Sequence, residues 1–130
     1  MSSFKIFDIA GSGMAAQSVR LNTVASNLAN ADSVSGSAET AYRARHPVFE
    51  AVRAGVAGQP DMGGAVRVRD IVQDGRAPEM RYEPGNPLAN AEGYVYAPNV
   101  NVVEEMVNMI SASRAYQNNV EVMNTSKELL

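Results

Sequence analysis

The chain has 130 residues, which is enough for one domain of ordinary size and too few for two independent hydrophobic cores. Hydrophobic residues make up 45% of it and charged residues 19%, a balance that favours a packed protein over a disordered one. The net charge of −3 has the wrong sign for binding a nucleic-acid backbone, and the lack of cysteine excludes disulfides, thiolate metal sites and cysteine nucleophiles.

The first 33 residues predict a long amphipathic helix. Apolar side chains recur every seven residues at Phe7, Met14, Leu21 and Leu28, with Val24 between the last two. A helix over about 4–31 would be roughly 42 Å long. Two glycines near its start, at positions 11 and 13, cost about 1 kcal/mol each in a helix interior, so we expect the first turns to fray or kink.

The same glycines suggest an alternative function. Residues 11–16, GSGMAA, fit the G-x-G-x-x-A fingerprint of dinucleotide-binding proteins, and Asp32 follows about twenty residues later. That alternative requires a strand over Phe4 to Ala10. It is disfavoured because residues 22–31 have helical character and no further β-α-β unit follows, so we rank nucleotide binding well below a structural role.

The middle of the chain, residues 34–96, predicts short strands and turns. All six prolines lie between Pro47 and Pro98, and eight of the ten glycines lie between Gly36 and Gly93. Strands are predicted at 43–52, where Pro47 indicates an edge, at 65–69 and at 93–97. Turns are predicted at 73–76 and 83–87, and residues 31–40 predict a loop.

The last 32 residues contain no glycine or proline and predict a second long helix, over about 99–130. Pro98-Asn99 supplies a boundary with a possible N-cap, and Glu104 and Glu105 lie where the helix dipole favours negative charge. A heptad seam follows. Its apolar members are Val102, Met106, Met109, Tyr116, Val120 and Met123.

These patterns together predict a mainly α fold, in which the two terminal helices form an antiparallel, coiled-coil-like pair around a small β-rich insertion. Residues 1–33 and 97–130 would form one helical unit, and residues 34–96 a middle lobe. A two-helix hairpin leaves much apolar surface uncovered, and the lobe is too poor in apolar residues to cover it. The outer faces carry neutral amides instead of the usual Lys and Glu. Assembly with other copies or other proteins is therefore expected.

The sequence offers no convincing enzyme chemistry. His46 is the only histidine, and we interpret it as a surface or edge-strand residue. Glu104 and Glu105 are adjacent on a helix, so they cannot serve one site together. We expect no catalytic residue, metal or cofactor. No segment approaches the roughly 20 apolar residues of a membrane span, and the first residues lack the apolar core of a cleaved signal peptide.

Several segments resemble one protein family. Residues 22–33, NTVASNLANADS, are similar to the signature at the end of the N-terminal helix in bacterial flagellar axial proteins, with its S-N-L-A-N core at 26–30. Residues 95–106, VYAPNVNVVEEM, and the helix that follows resemble the C-terminal segment of the same family. Residues 42–45, YRAR, followed by VFE at 48–50, resemble a further segment of it. The resemblance spans nearly the whole chain, is weakest at about 54–93, and is strongest to proximal rod proteins of the basal body.

The resemblance implies a structural subunit needed for motility. Its terminal helices would join those of other copies and of sibling rod proteins in a helical tube. The rod base and the MS ring would be further partners. That tube would cross the periplasm, transmit motor torque and enclose the export channel, and the chain would travel through the flagellar type III apparatus. Another rod or hook subunit remains the alternative within the family.

The sequence also predicts which residues meet neighbouring subunits. These are the members of the two seams and two asparagines expected to close the first helix or bond to a neighbour. They are Phe7, Met14, Leu21, Val24, Asn27, Leu28, Asn30, Val102, Met106, Met109, Tyr116, Val120 and Met123.

Overall fold

Two helices of 27 residues each bracket four short strands in the computed structural model, which describes residues 3–52 and 64–129. Helix α1 spans Ser3–Ala29 and helix α2 spans Val102–Glu128. The strands are β1 (Arg45–Val52), β2 (Ala65–Gln73), β3 (Glu79–Tyr82) and β4 (Tyr94–Ala97). The two predicted helices and the β-rich insertion between them are confirmed. The mainly α assignment is confirmed only in part, because strands fill much of the middle segment.

Helix α1 runs without interruption through both of its glycines, so the helix does not break there. Residues 4–10 are helical, which removes the strand that a dinucleotide-binding protein needs. The helix closes at Asn30, whose backbone N–H and side-chain amide both donate to the carbonyl of Ser26. This confirms the closing role expected of Asn30.

Helix α2 begins at Val102, three residues later than predicted. Its N-cap is Asn101, whose side-chain oxygen accepts a hydrogen bond from the Glu104 N–H at 3.1 Å. The expected cap at Asn99 is therefore wrong, because the Asn99 side chain is used to hold the middle of the chain. Glu104 and Glu105 lie in the first turn, where the helix dipole favours acidic side chains.

The two helices pack antiparallel, as predicted. Near the start of α1, Ile6 lines a cavity with residues 118–129 of α2. In the middle, Arg20 donates to Asn108 at 3.5 Å, and near the end of α1, Asn27 donates to Glu105 at 3.0 Å. The sequence order of these contacts is reversed between the helices.

The strands form two separate two-stranded antiparallel sheets, β1-β2 and β3-β4. The register of β1 with β2 shifts between Val48 and Phe49, which marks a β-bulge. Every strand is an edge strand in such sheets, so Pro47 is accommodated within β1. The three predicted strands and the turn predicted at 83–87 are confirmed, whereas residues 73–76 hold the end of β2 and a bend instead of a regular turn. Strand β3 was missed because it has only four residues, Glu-Met-Arg-Tyr, which is a short run for an alternating pattern to be recognised.

The buried apolar core is thin. Of the described residues, the buried hydrophobic ones are mostly alanines, and the largest fully buried side chains are Val95 and Asn27. No helix in the described part of the chain has the length and apolar character required to cross a membrane.

Candidate assembly surface and the polar joint beneath it

In its first half, helix α2 leaves most of its large apolar side chains exposed. Glu105, Ala112 and Ser126 are its buried residues, and they follow the spacing of one helix face. At about 100° per residue, the apolar residues of its first half are centred roughly opposite that face. We call them the α2 stripe. They are Val102, Val103, Met106, Val107, Met109 and Ile110, and all six are exposed.

The exposure of the α2 stripe contradicts the expected packing against the first helix, whereas the expected contact with neighbouring subunits stays a prediction. Val102, Met106 and Met109 were expected to form a seam against the first helix, and that packing is wrong, because all three side chains are exposed. The buried positions in this half of α2 are occupied by Glu105 and Ala112 instead. Val103 is 72% exposed and Ile110 57% exposed, which is an unusual state for clustered large apolar residues in a lone protein.

The other predicted interface residues do not form a single patch. Tyr116, Val120 and Met123, in the second half of α2, are half-buried. On α1, Val24 and Asn27 are buried against the rest of the chain. The remaining α1 members are half-buried and flank its contact face; they are Phe7, Met14, Leu21, Leu28 and Asn30. That these side chains meet neighbouring subunits stays a prediction.

The inner faces of the helices approach closely through small residues. Ala10, Gly13 and Ala16 of α1 are buried. A Cβ atom built on Gly13 would lie 2.8 Å from Nδ2 of Asn119, so the Asn119 side chain fills the space that the missing methyl leaves. Gly13 belongs to the G-x-G-x-x-A pattern that suggested dinucleotide binding, and the close packing of the helices explains a glycine at this position.

Asn27 connects both helices to the start of β1. Its Oδ1 accepts from the Arg45 N–H at 2.9 Å and from the Tyr42 hydroxyl at 2.8 Å. Its Nδ2 donates to the Arg45 carbonyl at 2.9 Å and to Oε2 of Glu105 at 3.0 Å. Both donors and both acceptor positions of the amide are therefore used, and the side chain is 0% exposed.

Asn99 holds Ala44, the residue before Arg45, through its side-chain amide in a similar way. Its Oδ1 accepts from the Ala44 N–H at 2.7 Å, and its Nδ2 donates to the carbonyls of Asp74 at 3.1 Å and Arg76 at 2.7 Å. The Asp74 N–H in turn donates to the Ala44 carbonyl at 2.7 Å. The segment before β1 is thereby held between an asparagine of α1 and an asparagine that precedes α2.

We call this cluster the polar joint. It consists of Asn27, Tyr42, Ala44, Arg45, Asp74, Asn99 and Glu105. The sequence reasoning missed Glu105, which is only 3% exposed and bonds across to the other helix. A carboxylate placed one turn into a helix is equally typical of a solvated dipole partner, so only the packing of α1 distinguishes the two roles.

An ionic cluster lies at the edge of the polar joint. The Asp74 carboxylate accepts from Nε and Nη2 of Arg76, the shortest at 2.8 Å, and lies 3.1 Å from Nε2 of His46. The hydrogen bonds from Arg76 hold the pKa of Asp74 well below its usual range. His46 is half-buried beside this carboxylate, consistent with a structural role on β1.

The described residues show no arrangement that favours catalysis. None of them forms a group of three or more His, Cys, Asp or Glu side chains suited to a metal ion. A cavity of about 170 Å³ is lined by Arg20, Arg45, His46 and Glu105 among others. Oε2 of Glu105 accepts a hydrogen bond from Asn27.

Comparison with known proteins agrees with this interpretation. Residues 7–36 match the family described as flagella basal body rod protein, and residues 91–130 match the C-terminal region of flagellar basal body rod FlgEFG proteins. Relatives named flagellar basal-body rod protein FlgC match along the full length. The one from Yersinia enterocolitica is 56% identical, over 100% of this chain and 94% of its own.

The likeness extends to distant bacteria. The FlgC protein of Salmonella typhimurium is 54% identical over 100% of this chain and 94% of its own length. That of Aquifex aeolicus is 42% identical over 99% of this chain and 92% of its own. With identities of this size across the whole chain, it belongs to the FlgC family of flagellar basal-body rod proteins.

Proposed function

We propose that this chain is a structural subunit of the proximal flagellar rod, and that it polymerises through its terminal helices. The observation that carries the proposal is the α2 stripe, six apolar side chains exposed in the first half of one helix. Burial of a large apolar side chain contributes about 1.5–3 kcal/mol, so covering the stripe supplies a substantial driving force for association.

The proposal assigns the two parts of the chain different roles. Residues 1–33 and 97–130 form the helical layer that contacts neighbouring copies and sibling rod proteins, with contacts to the rod base and MS ring. Residues 34–96 form a lobe beside that layer. The polar joint ties the lobe to both helices at once, so a force on one part is passed to the others without sliding.

The helical layer forms a tube in this proposal. The tube crosses the periplasm, transmits the torque of the motor and encloses the channel through which later subunits are exported. Support comes from the α1–α2 contact face, where small side chains and satisfied amides give close packing. The subunit itself reaches the rod through the flagellar type III export apparatus.

The test is a charge placed on the α2 stripe. Ile110→Glu should abolish swimming in soft agar when it replaces the chromosomal copy, because a carboxylate cannot be buried in an apolar contact without a large penalty. The matched control Ile110→Leu keeps the side chain apolar and should swim normally. Full motility with Ile110→Glu, at unchanged cellular protein level, would contradict the proposal.

A further inference from the structure

The molecule carries a second apolar feature, at the other end of its helix pair from the α2 stripe. We call it the distal groove. It is a cavity of about 460 Å³ lined by Ile6 of α1 and by Asn118, Glu121, Val122, Thr125 and Leu129 of α2. Val122 and Leu129 are exposed there, so the groove presents apolar surface that this chain does not cover.

The two features differ in form and carry opposite charges. The α2 stripe is the convex face of a single helix, whereas the distal groove is a concavity between two helices. Arg114 is exposed and continues the stripe, since it follows Ile110 by four residues and Val107 by seven. The groove carries the acidic side chain of Glu121. The stripe is thus an apolar ridge that ends in a cation, and the groove is an apolar cavity with an anion on its wall.

We infer that the α2 stripe of one copy docks in the distal groove of the next copy, an inference that rests on the proposed rod function. Val107 and Val122 are 15 residues apart on one helix, about 22 Å, so one molecule cannot satisfy both sites itself. A contact between two different patches is heterologous, so each copy can bind one further copy at each end, in a helical array where the rotation between copies does not close a ring. A stripe-to-stripe contact would instead stop at a two-fold dimer.

The sequence contains no cysteine, so introduced thiols report this contact without background. The double variant Val107→Cys/Val122→Cys is expressed from the chromosome, and the rods are oxidised in intact cells. A disulfide needs Cα atoms within about 7 Å, so only neighbours in direct contact are linked. The docking predicts a ladder of dimers, trimers and longer species for the double variant, and no ladder for either single variant.

Two controls keep the result interpretable. Tyr82→Cys/Val122→Cys replaces the stripe thiol by one at an exposed lobe position and should give no ladder. If the first double variant fails to support motility, Ile110→Cys/Thr125→Cys, which follows each position by one turn, makes the same prediction. Arg114→Glu added to the linked pair should weaken the ladder about two- to fivefold, as loss of a surface ion pair does.

Three outcomes overturn the inference. Dimers from Val107→Cys alone show a stripe-to-stripe contact. Motile cells with neither pair forming a ladder show that the stripe is covered by another protein, which leaves the rod function intact. A ladder of equal strength from Tyr82→Cys/Val122→Cys shows random collision. Failure of the proposed rod function is a separate result, because it would be seen as full motility of cells that carry Ile110→Glu.

Discussion

Asn27 acts at the residue scale as a substitute peptide group. It exchanges two hydrogen bonds with the backbone of Arg45, as a neighbouring strand would, and uses its remaining donor and acceptor on Glu105 and Tyr42. A buried group with all its bonds made is stabilising only as long as every partner stays in place. The chemistry therefore requires an amide at this position.

Replacing Asn27 with Asp should be more harmful than its small change in shape suggests. The new carboxylate cannot donate to the Arg45 carbonyl and lies beside the Glu105 carboxylate. We expect a loss of about 2–4 kcal/mol in the free energy of unfolding, measured by urea titration of the assembled protein. The double variant Asn27→Asp/Glu105→Gln, in which residue 105 can donate to residue 27, should recover part of the loss. No recovery would show that the two side chains are uncoupled.

Asp74 predicts how the stability depends on pH. Its pKa is held low in the folded chain, chiefly by the Arg76 side chain, so its contribution is present above the ordinary pKa of Asp, about 3.9, and is lost as the pH falls below that value. The variant Asp74→Asn should therefore flatten the acid side of the stability curve between about pH 5 and pH 2. His46→Gln should leave most of that slope, because Arg76 is the larger influence. An unchanged acid slope in Asp74→Asn would contradict this assignment.

At the scale of elements, the pairing of α1 with α2 depends on small side chains on the inner faces. Gly11 and Gly13 are two residues apart in the same helix, but they meet different surroundings. A Cβ on Gly11 has no atom of the described residues within 4 Å outside its immediate neighbours, whereas a Cβ on Gly13 meets the Asn119 side chain. Asn119 is held there by a hydrogen bond to the Ala115 carbonyl at 2.9 Å.

The two glycines therefore make a matched pair of substitutions. Gly11→Ala should raise the free energy of unfolding by about 0.5–1 kcal/mol, because alanine favours the helix and the site is open. Gly13→Ala gains the same helix propensity but must displace Asn119, so it should show no gain or a net loss. Equal stabilisation by both, in urea titrations of the assembled protein, would mean that Asn119 does not restrict this contact.

The two helices and their antiparallel pairing were predictable from the sequence, whereas the face that α2 turns toward α1 was not. Seven-residue spacing of Phe7, Met14 and their successors predicted both helices to within a few residues. The same spacing at Val102, Met106 and Met109 predicted an inward seam, since an apolar stripe normally faces the core of its own chain. Here the stripe faces outward, and the periodicity of an apolar stripe does not distinguish a face that packs in its own chain from one that stays exposed.

The polar joint could be predicted only in part for a related reason. The asparagines of S-N-L-A-N and P-N-V-N were visible as unusual residues at helix ends, and Asn30 closes α1 as expected. The partners of Asn27 lie 15 to 78 positions away in sequence, so no local pattern predicts them. Assigning Asn99 to the cap failed because Asn101 competes for that role two residues later.

At the scale of the whole molecule, the internal core is small for the length of the helices. Its buried hydrophobic side chains among the described residues are alanines and two valines, and the larger apolar side chains of the α2 stripe contribute little to holding one chain together. Under the proposed function, the terminal helices would gain stability from burial between molecules, which predicts that helix formation and assembly are coupled.

The most direct test of this account is far-UV circular dichroism of the purified chain, alone and then with its candidate rod partners, with sedimentation in parallel. The account predicts a low helical signal for the chain alone and a marked rise as larger assemblies form. A monomer with the full signal of two 27-residue helices, which gains nothing when partners are added, would contradict the claim that assembly completes this fold.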